Sequence, residues 1–146
     1  MTENLGELTI TRELPAAPEA VFRAYVEPEQ FVRFWGPVGT HVDLDSVTIE
    51  PRVGGRYEST MTMDESGQSF PVAMVITEFV PNELIALKEE AVGMRSTMTF
   101  KDLGDGRTEI VLHQQDVPGM YLGPEAEAGL NSSFDRLVEH LSSLAG

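Results

Sequence analysis

The 146-residue sequence contains no cysteine, which excludes disulfides, thiol nucleophiles and cysteine metal sites in one step. Basic residues are scarce: 10 lysines and arginines stand against 24 aspartates and glutamates, a formal net charge of -14. Such a chain repels polyanions overall, so neither nucleic acid nor an anionic membrane surface is an expected partner. No apolar run approaches the roughly 20 residues of a membrane-spanning helix, so no membrane insertion is expected. Met1 to Glu7 lack the basic-then-apolar order of a secretory signal, and the cytoplasm is the expected compartment. His41, His113 and His140 are scattered without ligand spacing, and neither a metal nor a cofactor is expected. No serine sits in a nucleophile elbow, and Gly104-Asp105-Gly106 has the look of a hairpin turn, not a phosphate cradle. Glu89 and Glu90 are adjacent, which on a strand points their carboxylates apart.

What remains is an ordinary globular composition, 41% hydrophobic and 23% charged, with no linker, repeat or low-complexity tract. The expected organisation is one domain over residues 1–146. Its best-marked element is the segment 124–145. Leu130, Phe134, Leu137, Leu141 and Leu144 recur at spacings of four, three, four and three, with Ala126 one turn earlier on the same stripe. Pro124 suits a first helical position, and Glu125 and Glu127 suit the positive end of the helix dipole. Five large side chains on one stripe would contribute about 8 to 15 kcal/mol if fully buried. Only a broad apolar surface can receive them, and the preceding strands must supply it.

Leu8, Ile10 and Leu14 alternate with polar residues as a half-buried strand does. Arg12 falls on the apolar parity, either facing a cavity or packing its stem while its head reaches solvent. Pro18 and Pro28 open two short helices, carrying Val21, Phe22 and Tyr25, then Phe31, Phe34 and Trp35. Strands are then expected around Val47 to Ile49, Arg56 to Met63, Phe70 to Val80, Leu84 to Lys88, Met94 to Lys101 and Thr108 to Gln114. Paired Gly54 and Gly55, Asp64 to Gly67, Pro81-Asn82 and Val92-Gly93 mark the bends between them. Phe70 to Val80 is apolar on both parities, so covering on both faces is expected, at least in part. Connections this short leave no room for crossover helices, which makes consecutive strands antiparallel neighbours. The expected architecture is α+β: a twisted antiparallel sheet of six to seven strands curled around the C-terminal helix, with two short helices after strand one.

Five segments in order, Ile10-Thr11-Arg12-Glu13-Leu14, Ala17-Pro18-Glu19-Ala20-Val21-Phe22-Arg23-Ala24, Phe34-Trp35-Gly36-Pro37-Val38-Gly39, Arg52-Val53-Gly54-Gly55-Arg56-Tyr57 and Phe134-Asp135-Arg136-Leu137-Val138-Glu139-His140-Leu141, are similar to signatures of the activator of heat shock protein 90 ATPase homologue 1-like family. That family belongs to the START and birch-pollen-allergen (SRPBCC) superfamily. The resemblance implies a helix-grip fold, with a cavity between sheet and helix that binds apolar or aromatic molecules in many relatives. It does not imply a shared catalytic set. The eukaryotic co-chaperone carries an additional N-terminal domain with no counterpart in this sequence, and many relatives place a tryptophan where Leu130 follows Gly129.

The residues carry their own argument for a cavity. Ala126, Gly129 and Ser133 are small, whereas the second half of the helix is filled by leucine. Either the thin half leaves space beneath it, or small side chains let helix and sheet approach closely. Facing that region would be Tyr57, Ser59, Met61 and Met63 from one strand, Ser96 and Met98 from another, and Gln114 from the last, with Leu130 and Phe134 from the helix. Methionine suits a compliant pocket wall and equally fills cores. Trp35 and Tyr121, in irregular segments at the open end, would gate the cavity or cap the core. Three functions stay open: a carrier or sensor of a small apolar or aromatic molecule, a cofactor-free enzyme of polyketide cyclase or aromatase type using Tyr57, Arg12 or Gln114, and a co-chaperone-like interaction domain. A homodimer is compatible with each.

Overall fold

The computed structural model describes residues 6–119 and 122–145. The chain runs β1 (Gly6–Leu14), α1 (Pro18–Val26), α2 (Pro28–Phe34), β2 (Thr40–Val42), a 3-10 turn at Leu44–Ser46, β3 (Thr48–Ile49), β4 (Arg56–Met63), β5 (Ser69–Val80), β6 (Leu84–Glu89), β7 (Arg95–Gly104), β8 (Arg107–Val117) and α3 (Pro124–Ala145). The strands form one antiparallel sheet in the order β1-β8-β7-β6-β5-β4-β2, with β3 also paired to β4. Among the described residues it has eight strands, one more than the upper expectation. The additional one, Thr40–Val42, is too short for an alternating pattern to show.

From β4 to β8 the sheet is the expected meander, and its turns carry the residues that their backbones require. Asn82 and Gly93 both adopt positive φ, at 66° and 74°. Gly55 is demanded by a close approach: a Cβ there would fall 2.0 Å from the Glu50 carbonyl oxygen. The first strand does not follow the meander. It returns to the end of the chain, pairing Leu8 with Gln114 and Leu14 with Thr108.

Pro18 and Pro28 each stand at the start of a short helix, where their missing N–H would have had no intrahelical partner. Val21, Phe22 and Tyr25 of α1 and Phe31 and Phe34 of α2 are buried. Their rings mesh with the sheet, Phe22 against Phe79 and Phe100 at 5.3 and 5.6 Å and Tyr25 against Phe100 at 5.8 Å. Edge-on pairs of this kind contribute about 0.5–1.5 kcal/mol each beyond their buried area. Phe134, Leu137 and Leu141 of α3 complete the same buried cluster.

Two expectations are corrected. Leu144, fifth on the helical stripe, is 57% exposed, so the last turn of α3 extends past the surface that receives the others. Strand β5 is covered on one face only: Met74 and Ile76 are buried, Ala73 and Thr77 are exposed, and Phe70 at the strand's start is 42% exposed. The connections of the meander are too short to lay any element over the outer face. Among the described residues no helix is long and apolar enough to cross a membrane.

Candidate ligand cavity

A cavity of about 420 Å³ lies between the inner face of the sheet and the first half of α3. Its strand wall follows from the period of two. Met61 on β4, Met74 on β5, Leu87 and Glu89 on β6, Ser96 and Met98 on β7, and Leu112 and Gln114 on β8 all point to the same side. Ala126, Gly129, Leu130, Ser133 and Phe134 form the helical wall, and Trp35, Gly36 and Pro37 border it from the loop after α2.

That loop is pinned to the helix. Ser133 Oγ donates to the Phe34 carbonyl oxygen at 2.8 Å, the Val38 N–H donates to Ser132 Oγ at 3.1 Å, and Arg136 Nη1 donates to the Gly36 carbonyl at 2.9 Å and, at longer range, to those of Pro37 and Thr40. Gly36 has φ +91°, and a Cβ on it would fall 2.7 Å from Thr40 Oγ1 and 2.8 Å from Met61 Cε. A side chain at that position would therefore disturb both the loop and the methionine wall.

Gly129 does not serve close packing. A Cβ built on Gly129 would meet only Pro37 Cβ, at an ordinary 3.7 Å. Glycine costs a helix roughly 1 kcal/mol against alanine, and the surroundings of Gly129 do not require it. The missing side chain belongs to the open space.

Of the residues singled out from the sequence, Trp35, Met61, Ser96, Met98, Gln114, Leu130 and Phe134 border the cavity. Tyr57, Ser59 and Met63 do not. Tyr57 points inward but is only 1% exposed, walled off by the rings of Phe31 and Trp35 at 5.4 and 5.7 Å. Its hydroxyl donates to the Tyr25 carbonyl at 2.6 Å, and burial holds its pKa well above the ordinary tyrosine value. Ser59 is buried on the same face and does not border the cavity. Met63 ends β4 against the edge strand β2 and is 39% exposed. Tyr121 lies outside the described residues.

The groups considered for acid–base work separate in the same way. Arg12 does lie on the inward parity, but its Nη2 donates to Asp135 Oδ1 at 2.8 Å and its Nη1 to the carbonyl and side-chain oxygens of Asn131, with the guanidinium carbon 5.9 Å from the Phe134 ring centre. It clasps the flank of α3. Gln114 alone of the three borders the cavity, where its Nε2 donates to Ser96 Oγ at 3.3 Å.

Sequence reasoning missed Glu89, Met74, Met94, Leu112 and Tyr25 among the lining residues. For Glu89 the signal was present: it continues the inward parity of Ile85 and Leu87. The adjacent Glu90 is exposed, so the two carboxylates do point apart. Burial raises the Glu89 pKa above the ordinary carboxylate value.

An antiparallel sheet curled about a long C-terminal helix, with two short helices after strand one, is the helix-grip arrangement. The family model described as activator of Hsp90 ATPase homolog 1-like protein matches residues 15–142, and the chain belongs to that family. Among solved structures the chain is similar to a protein from Chromobacterium violaceum, with 26% identity, a TM-score of 0.82, and coverage of 92% of this chain and 96% of that one. It is also similar to a protein from Nitrosomonas europaea, at 17% identity and a TM-score of 0.83 over 95% and 96% of the two chains. The AHSA1 protein of Silicibacter pomeroyi shares 22% identity, with a TM-score of 0.73 over 94% and 98%. No curated protein matches the chain.

Proposed function

We propose that this protein binds a small apolar or aromatic molecule between the sheet and α3, acting as a carrier or sensor. The observation that carries the reading is the cavity itself. Its volume falls within the roughly 300–1,000 Å³ of small-molecule sites, and it is bordered by Met61, Met74, Met94 and Met98 opposite a glycine that packing does not require. Thioether side chains adapt to varied apolar shapes, which suits a site selecting by polarity more than by outline. Tyr57 and Arg12 are engaged outside the cavity and the Gln114 amide does not titrate, so Glu89 is the inward carboxylate left to interact with an occupant.

Native mass spectrometry of freshly purified protein tests the reading, together with thermal shifts across a library of apolar and aromatic compounds. A co-purifying mass or a saturable shift supports it. A clean apo spectrum with no shift from any compound rejects it.

A further inference from the structure

The charged side chains that line the cavity are of one sign. Among the described residues its lining holds Glu89 and, at the exposed rim, Glu125, but no lysine, arginine or histidine. The nearby cations are directed elsewhere. Lys88 lies on the opposite parity of β6 and is exposed, Arg95 Nε donates to Asp116 at 2.9 Å, Arg12 is held by Asp135, and Arg136, behind the loop that borders the cavity, is engaged by the Gly36, Pro37 and Thr40 carbonyls. Glu89 thus reaches a mostly apolar wall with no salt bridge or hydrogen bond to its carboxylate among the described residues. Glu89 is half-buried, and partly desolvating a carboxylate without a counter-charge is unfavourable, which a ligand cation would relieve. The remaining inward polar pair on the neighbouring strands, Ser96 and Gln114, is neutral and bonded to itself.

We propose that the occupant of this cavity is an apolar or aromatic amine, its protonated nitrogen held by Glu89 and its apolar body lying against the methionine wall, and that carboxylates of the same shape are rejected. The inference rests on the binding function proposed above and specifies its ligand class. The Coulomb term works twice. It attracts an ammonium group to Glu89 and opposes a carboxylate beside two glutamates that no cation neutralises.

Three probes with one apolar body and different head groups test it: biphenyl-4-ylmethylamine, biphenyl-4-ylmethanol and biphenyl-4-carboxylate, each titrated calorimetrically into the intact protein and into Glu89→Gln. Glu90→Gln, one residue away and exposed, controls for the overall negative charge. The amine should bind wild type at least tenfold more tightly than the alcohol, with the carboxylate weakest. Glu89→Gln should lose that tenfold while the alcohol stays within about threefold, and Glu90→Gln should keep the amine preference. Equal affinity for amine and alcohol, or an amine preference that survives Glu89→Gln or disappears in Glu90→Gln, overturns the amine assignment and leaves apolar binding standing. If none of the three binds wild type, while circular dichroism shows it folded, the cavity-binding function falls and this inference with it.

Discussion

A Cβ placed on Gly129 of α3 would lie at an ordinary 3.7 Å from Pro37 Cβ in the loop after α2, so a methyl group fits between the two residues. Both residues border the cavity.

Gly129→Ala should therefore stabilise the protein by about 1 kcal/mol through helix propensity alone, raising Tm by about 2–4 °C for a chain of this size. Gly129→Trp should instead project a ring into the space beside Leu130 and lower ligand uptake at least tenfold. Thermal melts and the biphenyl titrations measure the two effects. A Gly129→Ala variant that melts lower would mean that the glycine answers a packing demand after all.

Tyr57 should prove structural. The carbonyl of Tyr25 belongs to the last turn of α1, whose oxygens have no intrahelical donor, and the Tyr57 hydroxyl supplies one in a fully buried setting. Tyr57→Phe leaves that oxygen unpaired and should cost about 1–3 kcal/mol in urea unfolding. Ligand affinity should change less than threefold, because the hydroxyl does not border the cavity. A loss of binding without a loss of stability would contradict this placement.

Glu89→Gln should make the protein more stable at neutral pH. Burial raises the folded-state pKa of Glu89, so its ionised form is disfavoured in the fold. The favourable contribution of this group is complete below its unfolded pKa and is lost as pH rises through the folded one. The variant should thus be more stable than wild type at pH 7, with the difference closing toward pH 4. Urea midpoints across that range measure it, and a Glu89→Gln protein less stable at pH 7 would show that the carboxylate has a partner in the fold.

His140 gives the opposite slope. Desolvation, and secondarily the charge of Arg33, lower its pKa from the ordinary 6.5, so the folded protein keeps the ring neutral, with Nε2–H donating to Gln30 Oε1 at 2.9 Å. Its contribution is present above the unfolded pKa and is lost as pH falls through 6.5 toward the lower folded value. His140→Gln should flatten the stability profile between pH 7 and pH 5. An unchanged slope in that variant assigns the effect to another group.

The parts of the fold that could be read in advance are those written in local periods. The α3 stripe from Leu130 to Leu141 and the alternation of Arg56 to Met63 each state which face is buried. Parity does not say what already fills the space in front of a side chain. Tyr57 and Met61 share one face of one strand, yet the aromatic rings of α2 and the following loop close over the first and leave the second open. The edge strand β2 and the pairing of β1 with β8 were beyond local reading, because three residues show no period and a partner about a hundred residues away leaves no mark on nearby sequence. Glu89 needs a further step: its adjacency to Glu90 says that the two carboxylates point apart, and only its continuity with Ile85 and Leu87 says which of them points inward.

The pairing of β1 with β8 sets an order on the ribosome. Leu8, Ile10 and Leu14 are translated well before their neighbours Gln114, Leu112 and Thr108, which emerge roughly a hundred residues later, on the order of 5–20 s at usual elongation rates. Until β8 emerges, the nascent polypeptide carries a sticky, unmatched ribbon.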